Sequence, residues 1–288
     1  MTDLTVIILT KNEELNIEKA INSVKAVAKR VLIVDSGSTD NTVSLAKELG
    51  AEVHEHPFEN HAAQFNWALE NCSINTEWIM KLDADERLLP ELADEIDERL
   101  DGLDKSINGV VLRRRVYFMG RWLKHGGKYP ELLLRIFRKG HGMSENKQMD
   151  EHLVITDGSS VTFKYDFKDE NNKSLEWWIN KHNWYSNKEA YDHQLTVSSG
   201  EVHDGNASNQ AKLKRAVKNK GYYKLPKFFR ARLYFIYRYY FKLGFLDGTE
   251  GKIYTFLQAY WYRYLVDAKL YECEKTGRAI EKQGELKN

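Results

Sequence analysis

The sequence predicts an α/β fold, a mostly parallel sheet with covering helices, followed by a C-terminal amphipathic helical region. Three observations carry this. Apolar β-branched runs alternate with amphipathic stretches through the first hundred residues. The first runs are apolar at nearly every position, as in strands buried on both faces. Polar residues cluster where those runs end and helices begin, the edge at which ligands sit in parallel sheets.

LTVIILT (4–10) is the first strand, and a helix follows with Ile17, Ala20, Ile21, Val24 and Ala28 on one stripe. RVLIVDS (30–36) is the second strand. Ser38 or Asp40 caps the next helix, with Val43, Ala46 and Leu49 inward and Gly50 at its end. AEVHEH (51–56) reads as a third strand, AAQFNWALENC as a helix, EWIMKLDADE as the fourth strand and ELADEIDERL as another helix. From 109 to 167 the pattern turns shorter and strand-like (GVVLRRRVYFMG, LLLRIFRKG, HLVITDGSSVTFKY), with a glycine-rich turn KHGGKYP at 124–130. From Ser174, a plausible cap, the chain reads helical, and 200–221 is polar. The expected division is a sheet domain over 1–170 and a helical region over 171–288.

Within that region YYKLPKFFRARLYFIYRYYFKLGF holds many aromatics, several Lys and Arg, and no acid. Phe229, Leu233, Ile236, Tyr240 and Leu243 form one stripe, while Lys227, Arg230, Tyr234, Arg238 and Lys242 lie away from it. A second amphipathic helix carries Ile253, Phe256, Leu257, Tyr260, Tyr264, Leu265 and Ala268 on one face. Three readings fit the basic-aromatic helices of 222–272: core packing, an anionic membrane surface, or nucleic acid held by stacking.

The gross numbers narrow these. With 288 residues, 42% hydrophobic and 30% charged, the chain has a sizeable core to bury. A net charge of +1 gives no global case for nucleic acid, so none is expected as a partner. Cys72 and Cys273 lie far apart without metal-ligand spacing, which suits free thiols in a reducing, cytoplasmic setting. No signal peptide and no apolar run long enough to span a bilayer is expected.

The chemistry-bearing feature is IMKLDADER (79–87), which packs Asp83, Asp85 and Glu86 against a buried run. Close carboxylates repel unless a proton or a cation intervenes. Two acids separated by one small residue at a strand end suit a hard divalent ion whose other ligands are phosphate oxygens and water. TKNEE (10–14) and VDSGSTDNT (34–42) lie at the same edge. Their bland role is helix capping, and their joint role is to line a nucleotide cleft. His54, His56 and His61 lack a cysteine and zinc spacing, and neither a Ser–His–Asp elbow nor a phosphate loop occurs.

The ordered blocks LTVIILTKNEELNIEKAINSV, VLIVDSGSTDNTVSLAKELGA, QFNWALENC and EWIMKLDADERL resemble family 2 glycosyltransferases with the GT-A fold. YPELLLRIFRKG, MDEHLVITDG and GFLDGTEGKIYTFLQAYWYRYL resemble the bacterial branch that builds lipopolysaccharide core, O-antigen and exopolysaccharide, including glucosyltransferases acting on heptose. The resemblance implies transfer from a nucleotide sugar, a UDP-hexose, with Mg²⁺ or Mn²⁺ on the diphosphate. It implies a saccharide or glycolipid acceptor; with a lipid-linked acceptor, peripheral contact of the basic-aromatic helices with the inner face of the cytoplasmic membrane is the expectation. Thr10, Asn12 and Glu13 would border base and ribose, and Asp35 the uracil or ribose. Ser36 stands where many relatives carry a second Asp. Gln64 and Asn66 would line the base. Asp83 would face ribose or metal, Asp85 would ligate the metal, and Glu86 and Arg87 would support them.

An inverting transfer needs a carboxylate opposite the leaving diphosphate. MDEHL (149–153) offers Asp150 and Glu151, with Glu151 favoured and His152 as an orienting neighbour; Glu131 is the weaker alternative. Arg135 and Arg138 are candidates for neutralising the diphosphate or an anionic acceptor. A reading from another class is a non-catalytic nucleotide-sugar-binding or scaffold protein at the membrane.

Overall fold

A computed structural model describes residues 1–145, 152–199 and 221–280. In chain order it shows β1 (Thr2–Thr10), α1 (Ile17–Val24), β2 (Ala28–Asp35), α2 (Thr42–Glu48), β3 (Glu52–Glu55), α3 (His61–Asn71), β4 (Trp78–Asp83), β5 (Glu86–Leu88) and α4 (Pro90–Arg99). Then follow β6 (Ile107–Phe118), β7 (Arg121–Trp122), β8 (Glu131–Arg138), β9 (Gly142–Ser144), β10 (Leu153–Ile155), β11 (Ser159–Asp169) and α5 (Leu175–Ser199). Two compact units result. The first holds residues 1–120 and 129–172, the second 121–128 and 173–288. The short glycine-rich stretch therefore belongs with the helical unit, a break in the sheet domain that the sequence expectation lacked.

In the first unit the sheet runs β3-β2-β1-β4-β8-β6-β11-β5. β3, β2, β1 and β4 are parallel, and β8 joins β4 antiparallel. This is a mixed sheet with flanking helices, as expected from the sequence, and the parallel half is the alternating region of the sequence. Successive residues of a strand point to opposite faces. Leu4, Val6 and Ile8 of β1 therefore pack with α1 residues Ile17, Ile21 and Val24 and with Leu92 and Ile96 of α4. Ile7 and Leu9 pack on the other face with Leu32, Val34, Ile79 and the α3 residues Phe65 and Ala68. Both faces are covered, which is why these strands read as unbroken apolar runs. Register places Thr10 beside Asp35 and Leu9 beside Asp83, so three polar strand ends share one edge.

In the second unit Ser174 caps α5, its Oγ accepting from the Trp177 N–H at 3.1 Å. Helix Phe229–Ile236 continues into a π-helical turn at Tyr237–Phe241, and helix Gly248–Thr255 into another at Phe256–Trp261 before helix Tyr262–Thr276. The core of this unit is Ala190, Tyr262, Val266 and Leu270. Arg230, 2% exposed, is buried against Asp267. Glu189 accepts from the hydroxyls of Tyr223 (3.0 Å) and Tyr262 (2.7 Å) and pairs with Arg263 at 2.5 Å. Arg230 of the basic face is thus buried and Tyr234 and Arg238 half-buried, Lys242 stays exposed, and Phe229, Leu233, Tyr240 and Leu243 of the apolar stripe are exposed. Core packing of that apolar stripe is not what the structure shows. The second helix behaves alike: Thr255, Ala259, Tyr262 and Val266 are buried, whereas Phe256 and Tyr264 of the expected stripe are exposed.

Candidate active site

Thr10, Asp35 and Asp83 end three neighbouring strands, and the loops beyond them are stitched together. Asn12 adopts a left-handed φ of 53°, which Asn tolerates better than most residues. In that pose its N–H donates to Ser38 Oγ (2.8 Å) and its Oδ1 accepts from the Thr39 N–H (2.8 Å). The Glu13 N–H donates to Thr42 Oγ1 at 2.7 Å, and Glu13 Oε2 accepts from Asn16 Nδ2 at 2.7 Å. Neither expected residue is the cap of α2: that position is Asn41, which makes no side-chain capping bond, while Asp40 Oδ1 accepts from the Thr42 N–H at 3.0 Å. Ser38 is drawn instead into the β2 turn.

Asp35 is buried, and its carboxylate is engaged within the protein. Oδ1 accepts from the hydroxyls of Thr10 (2.8 Å) and Ser38 (2.6 Å), and Oδ2 from the N–H groups of Gly37 (2.9 Å) and Ser38 (2.7 Å). Ser36 Oγ accepts from Gln64 Nε2 at 3.0 Å, and the Gln64 carboxamide also bonds the His56 ring (2.7 Å) and backbone oxygen (2.9 Å). His56 is thereby tied to Gln64. His54 sits 2.6 Å from Glu52. Asn66 acts like a strand partner: its Nδ2 donates to the Ser144 oxygen and its Oδ1 accepts from the Ser144 N–H, both at 2.9 Å. Ser144 ends β9, which pairs with β10. Asp150 and Glu151 lie outside the described residues. His152 is described just before β10, its carbonyl accepting from the Glu145 N–H at 2.9 Å.

The carboxylate cluster is ordered by later strands. Arg135 of β8 bonds Glu86 and lies 3.3 Å from Asp83 Oδ2. Arg114 of β6 bridges Glu131 (2.6 Å) and Asp169 (3.2 Å). Desolvation opposes the Asp83 charge, but Arg135, Lys81, His61 and Arg114 outweigh it and hold the carboxyl well below the usual range. Glu86, 1% exposed, moves the other way: burial, reinforced by the charges of Asp83 and Asp169, pushes it up to about 8 despite Arg135. The two acids of the turn thus differ, one held as an anion and one favoured as an acid.

Asp85 follows in the turn. Its Oδ2 accepts from Asn171 Nδ2 at 2.9 Å, and its carbonyl accepts from the Glu170 N–H at 2.9 Å. Its Oδ1 takes no hydrogen bond among the described residues. An ionised Asp83 and an open oxygen on Asp85 are hard donors separated by one alanine, a set that fits a divalent cation. Among the described residues no three His, Cys, Asp or Glu side chains converge to hold a metal alone. The remaining ligands would be water and substrate oxygens.

Arg138 is a correction. It pairs with Glu77, lies 4.2 Å over the Trp78 ring and donates to the Ile107 oxygen at 2.9 Å. β8 runs antiparallel to β4, so Arg138 sits beside Trp78, at the opposite end of the strand from Asp83. Strand alternation from Arg135 gave no signal of this. The sequence reading also missed Arg114, Asp169, Glu170 and Asn171. The only trace was the polar run KDENNK after the last strand.

The sequence model described as "Glycosyl transferase family 2" matches residues 5–170. The lipopolysaccharide core biosynthesis glycosyltransferase LpsC of Rhizobium meliloti is 30% identical over 277 residues, 89% of this chain and 90% of that protein. The uncharacterized glycosyltransferase RT0209 of Rickettsia typhi is 31% identical over 207 residues, 67% of this chain and 68% of that protein. Among solved structures, Mycobacterium tuberculosis glucosyl-3-phosphoglycerate synthase in complex with Mn²⁺, UDP and glucosyl-3-phosphoglycerate is 21% identical. That likeness covers 40% of this chain and 44% of the synthase, with a TM-score of 0.33, and carries no argument about substrate. The family match over most of the sheet unit and the near full-length likeness to LpsC give one conclusion: the chain belongs to glycosyl transferase family 2 and is a glycosyltransferase.

Proposed function

We propose that the protein is an inverting, metal-dependent glycosyltransferase that moves a hexose from a UDP-sugar to a saccharide or lipid-linked acceptor. Its setting is cell-surface polysaccharide or lipopolysaccharide synthesis at the inner face of the cytoplasmic membrane. The observation that carries the reading is the pair Asp83, beside Arg135, and Asp85, whose Oδ1 takes no hydrogen bond among the described residues, at the edge formed with Thr10 and Asp35. The likeness to LpsC supports the acceptor class.

On this reading Asp85 and Asp83 hold Mg²⁺ or Mn²⁺, which when bound offsets the charge that develops on the departing diphosphate. Asn12, Glu13 and Ser36 border the nucleoside, while Thr10, Asp35, Gln64 and Asn66 hold the loops that shape its cleft. Arg135 keeps Asp83 ionised. Glu151, with Asp150 as the alternative, accepts the proton of the acceptor hydroxyl as its oxygen attacks the anomeric carbon. The bond from that carbon to the diphosphate breaks on the opposite face, and its electron pair leaves with UDP. Configuration inverts.

The test is thermal unfolding with UDP, Mn²⁺, both or neither, repeated on Asp85→Asn. Ligands that bind only the folded state stabilise it by mass action, about 2.7 kcal/mol at a hundredfold excess over Kd. UDP with Mn²⁺ should raise Tm more than either alone, and Asp85→Asn should abolish the excess. Equal stabilisation by UDP alone would remove metal dependence from the proposal. A screen of UDP-sugars for UDP release then identifies the hexose.

A further inference from the structure

The second unit is amphipathic in reverse. Arg230 is 2% exposed, while its neighbour Phe229 is 52% exposed. Arg238 turns in as well, donating to the Gly126 oxygen and, at 2.7 Å, to Tyr234 Oη. On the outer side Tyr240 is 56% and Phe241 76% exposed. The exposed rings are not scattered. Phe256 meets Phe235 at 6.4 Å, Phe235 stacks on Tyr239 at 5.4 Å, and Tyr239 touches Tyr240 at 5.1 Å and Phe245 at 6.2 Å. The half-buried rings of Phe235 and Tyr239 thus link the exposed rings of Tyr240, Phe245 and Phe256 across both helices. Clustered exposed rings of this kind mark an interaction surface.

Charge says what it fits. Arg232 and Lys242 are exposed on the first segment and Lys224 in the turn before it. The second helix adds exposed Lys252, while its acids, apart from the buried Asp267, are Glu250 near Lys252 and Glu272 and Glu274 at the far end of its continuation. From Tyr222 to Leu246 the sequence carries no acid, and the next one, Asp247, is buried against His125 at 2.7 Å. A two-fold contact with a second copy would bring these cations against themselves. The chain at 211–220 (AKLKRAVKNK) is itself basic and poor in large apolar residues, so it matches the patch no better. An anionic bilayer surface satisfies both properties: rings enter the headgroup level and cations meet lipid phosphates. No helix among the described residues is long and apolar enough to cross a membrane, so the contact is peripheral.

We propose that the surface formed by Tyr240, Phe245 and Phe256, with the exposed Phe241 next to Tyr240 in the chain, docks the protein onto anionic lipid bilayers. This rests on the reading above only for its purpose, that of bringing the enzyme to a headgroup-proximal acceptor. Vesicle flotation of the full chain tests it, with phosphatidylglycerol–phosphatidylcholine vesicles against phosphatidylcholine alone, at low and high salt. The triple variant Tyr240→Ser, Phe241→Ser, Phe256→Ser replaces exposed side chains, and its Tm serves as the folding control. Wild type should float with anionic vesicles at low salt and less so at high salt. The triple variant should lose about tenfold or more in partitioning, given the apolar area removed.

Absence of flotation at low salt, equal flotation of a folded triple variant, or a wild-type dimer that the substitutions dissociate would each overturn the proposal. A triple variant that failed to fold would be replaced by Phe241→Ser alone, with the same criteria. Transfer to a water-soluble acceptor separates the two proposals: the variant should retain it whether or not docking is lost.

Discussion

The Arg135 guanidinium bonds two carboxylates of different character, reaching Glu86 and, at 3.3 Å, Asp83 Oδ2. Removing Arg135 would leave the ionised Asp83 without its counter-charge and the buried Glu86 carboxyl without its donor, a loss of about 1–3 kcal/mol for the donor alone, whereas replacing both buried partners by apolar groups of similar volume is often close to neutral. Arg135→Met should therefore destabilise strongly, and Arg135→Met with Glu86→Leu should recover much of the loss. Denaturant unfolding measures both. A single variant as stable as wild type would show that the pair contributes nothing to holding the turn.

Glu86 also predicts a pH dependence. Its carboxyl ionises at about 8 in the folded protein against a reference of 4.5. Folding retains a proton in that window, so the stability it contributes is complete below pH 4.5 and is lost as pH rises through about 8. Asp83, lowered, is ionised in both states there and does not interfere. Glu86→Gln should flatten the decline of Tm between these limits. Parallel pH profiles for wild type and variant would contradict the assignment.

His182 acts in the opposite sense. Burial, only partly offset by its bond to the Trp178 oxygen (2.8 Å), brings it down to about 4, and its ring stacks on Trp178 at 3.4 Å. The unfolded chain takes up the proton first, so stability falls as pH drops from 6.5 through about 4. His182→Phe should lessen that acid sensitivity, read by thermal unfolding. Between pH 4.5 and 6.5 the two groups pull against each other, so each variant is compared with wild type separately.

Asn66→Ala removes both bonds to Ser144, which ends the strand that precedes the Asp150–Glu151 segment. Two neutral hydrogen bonds to a buried strand end correspond to about 1–3 kcal/mol. If β9 aims the base, turnover should fall further than stability and any loss of the UDP-dependent rise in Tm explain. Unchanged kcat would deny β9 any positioning role.

Glu131 is committed to Arg114 at 2.6 Å. Glu131→Gln should therefore lower Tm while leaving measurable transfer, whereas Glu151→Gln should abolish transfer with Tm unchanged. Single-turnover assays with each variant, and with Asp150→Asn, decide among the three acids. Full activity in Glu151→Gln would move the base elsewhere.

The parallel half of the fold was legible because LTVIILT and RVLIVDS are buried on both faces, which leaves an unbroken apolar signature. The edge was legible too, since strand ends carry their polar residues locally. The partners of Glu86, Asp83 and Asp85 were not, because Arg135 and Asn171 reach them from a strand and a loop far along the chain. A pair formed across a sheet has no spacing rule in sequence. The direction of the aromatic helices was hidden for a related reason. Periodicity separates Phe229 from Arg230, but only the acceptor Asp267, 37 positions later, turns the arginine inward.

The turn that carries Asp85 is closed by Glu170 and Asn171. At ribosomal speeds of about 5–20 residues per second, those residues follow Asp85 by roughly 4–17 s. Through that interval β5 has no β11 to pair with, and the DADE turn has neither its backbone bond nor its Asn171 donor. The growing chain thus passes through a stage in which the parallel half can form but the carboxylate turn is incomplete. On the proposed reading the donor site would be complete only when the sheet domain is nearly finished, an order of events set by which strand closes the turn.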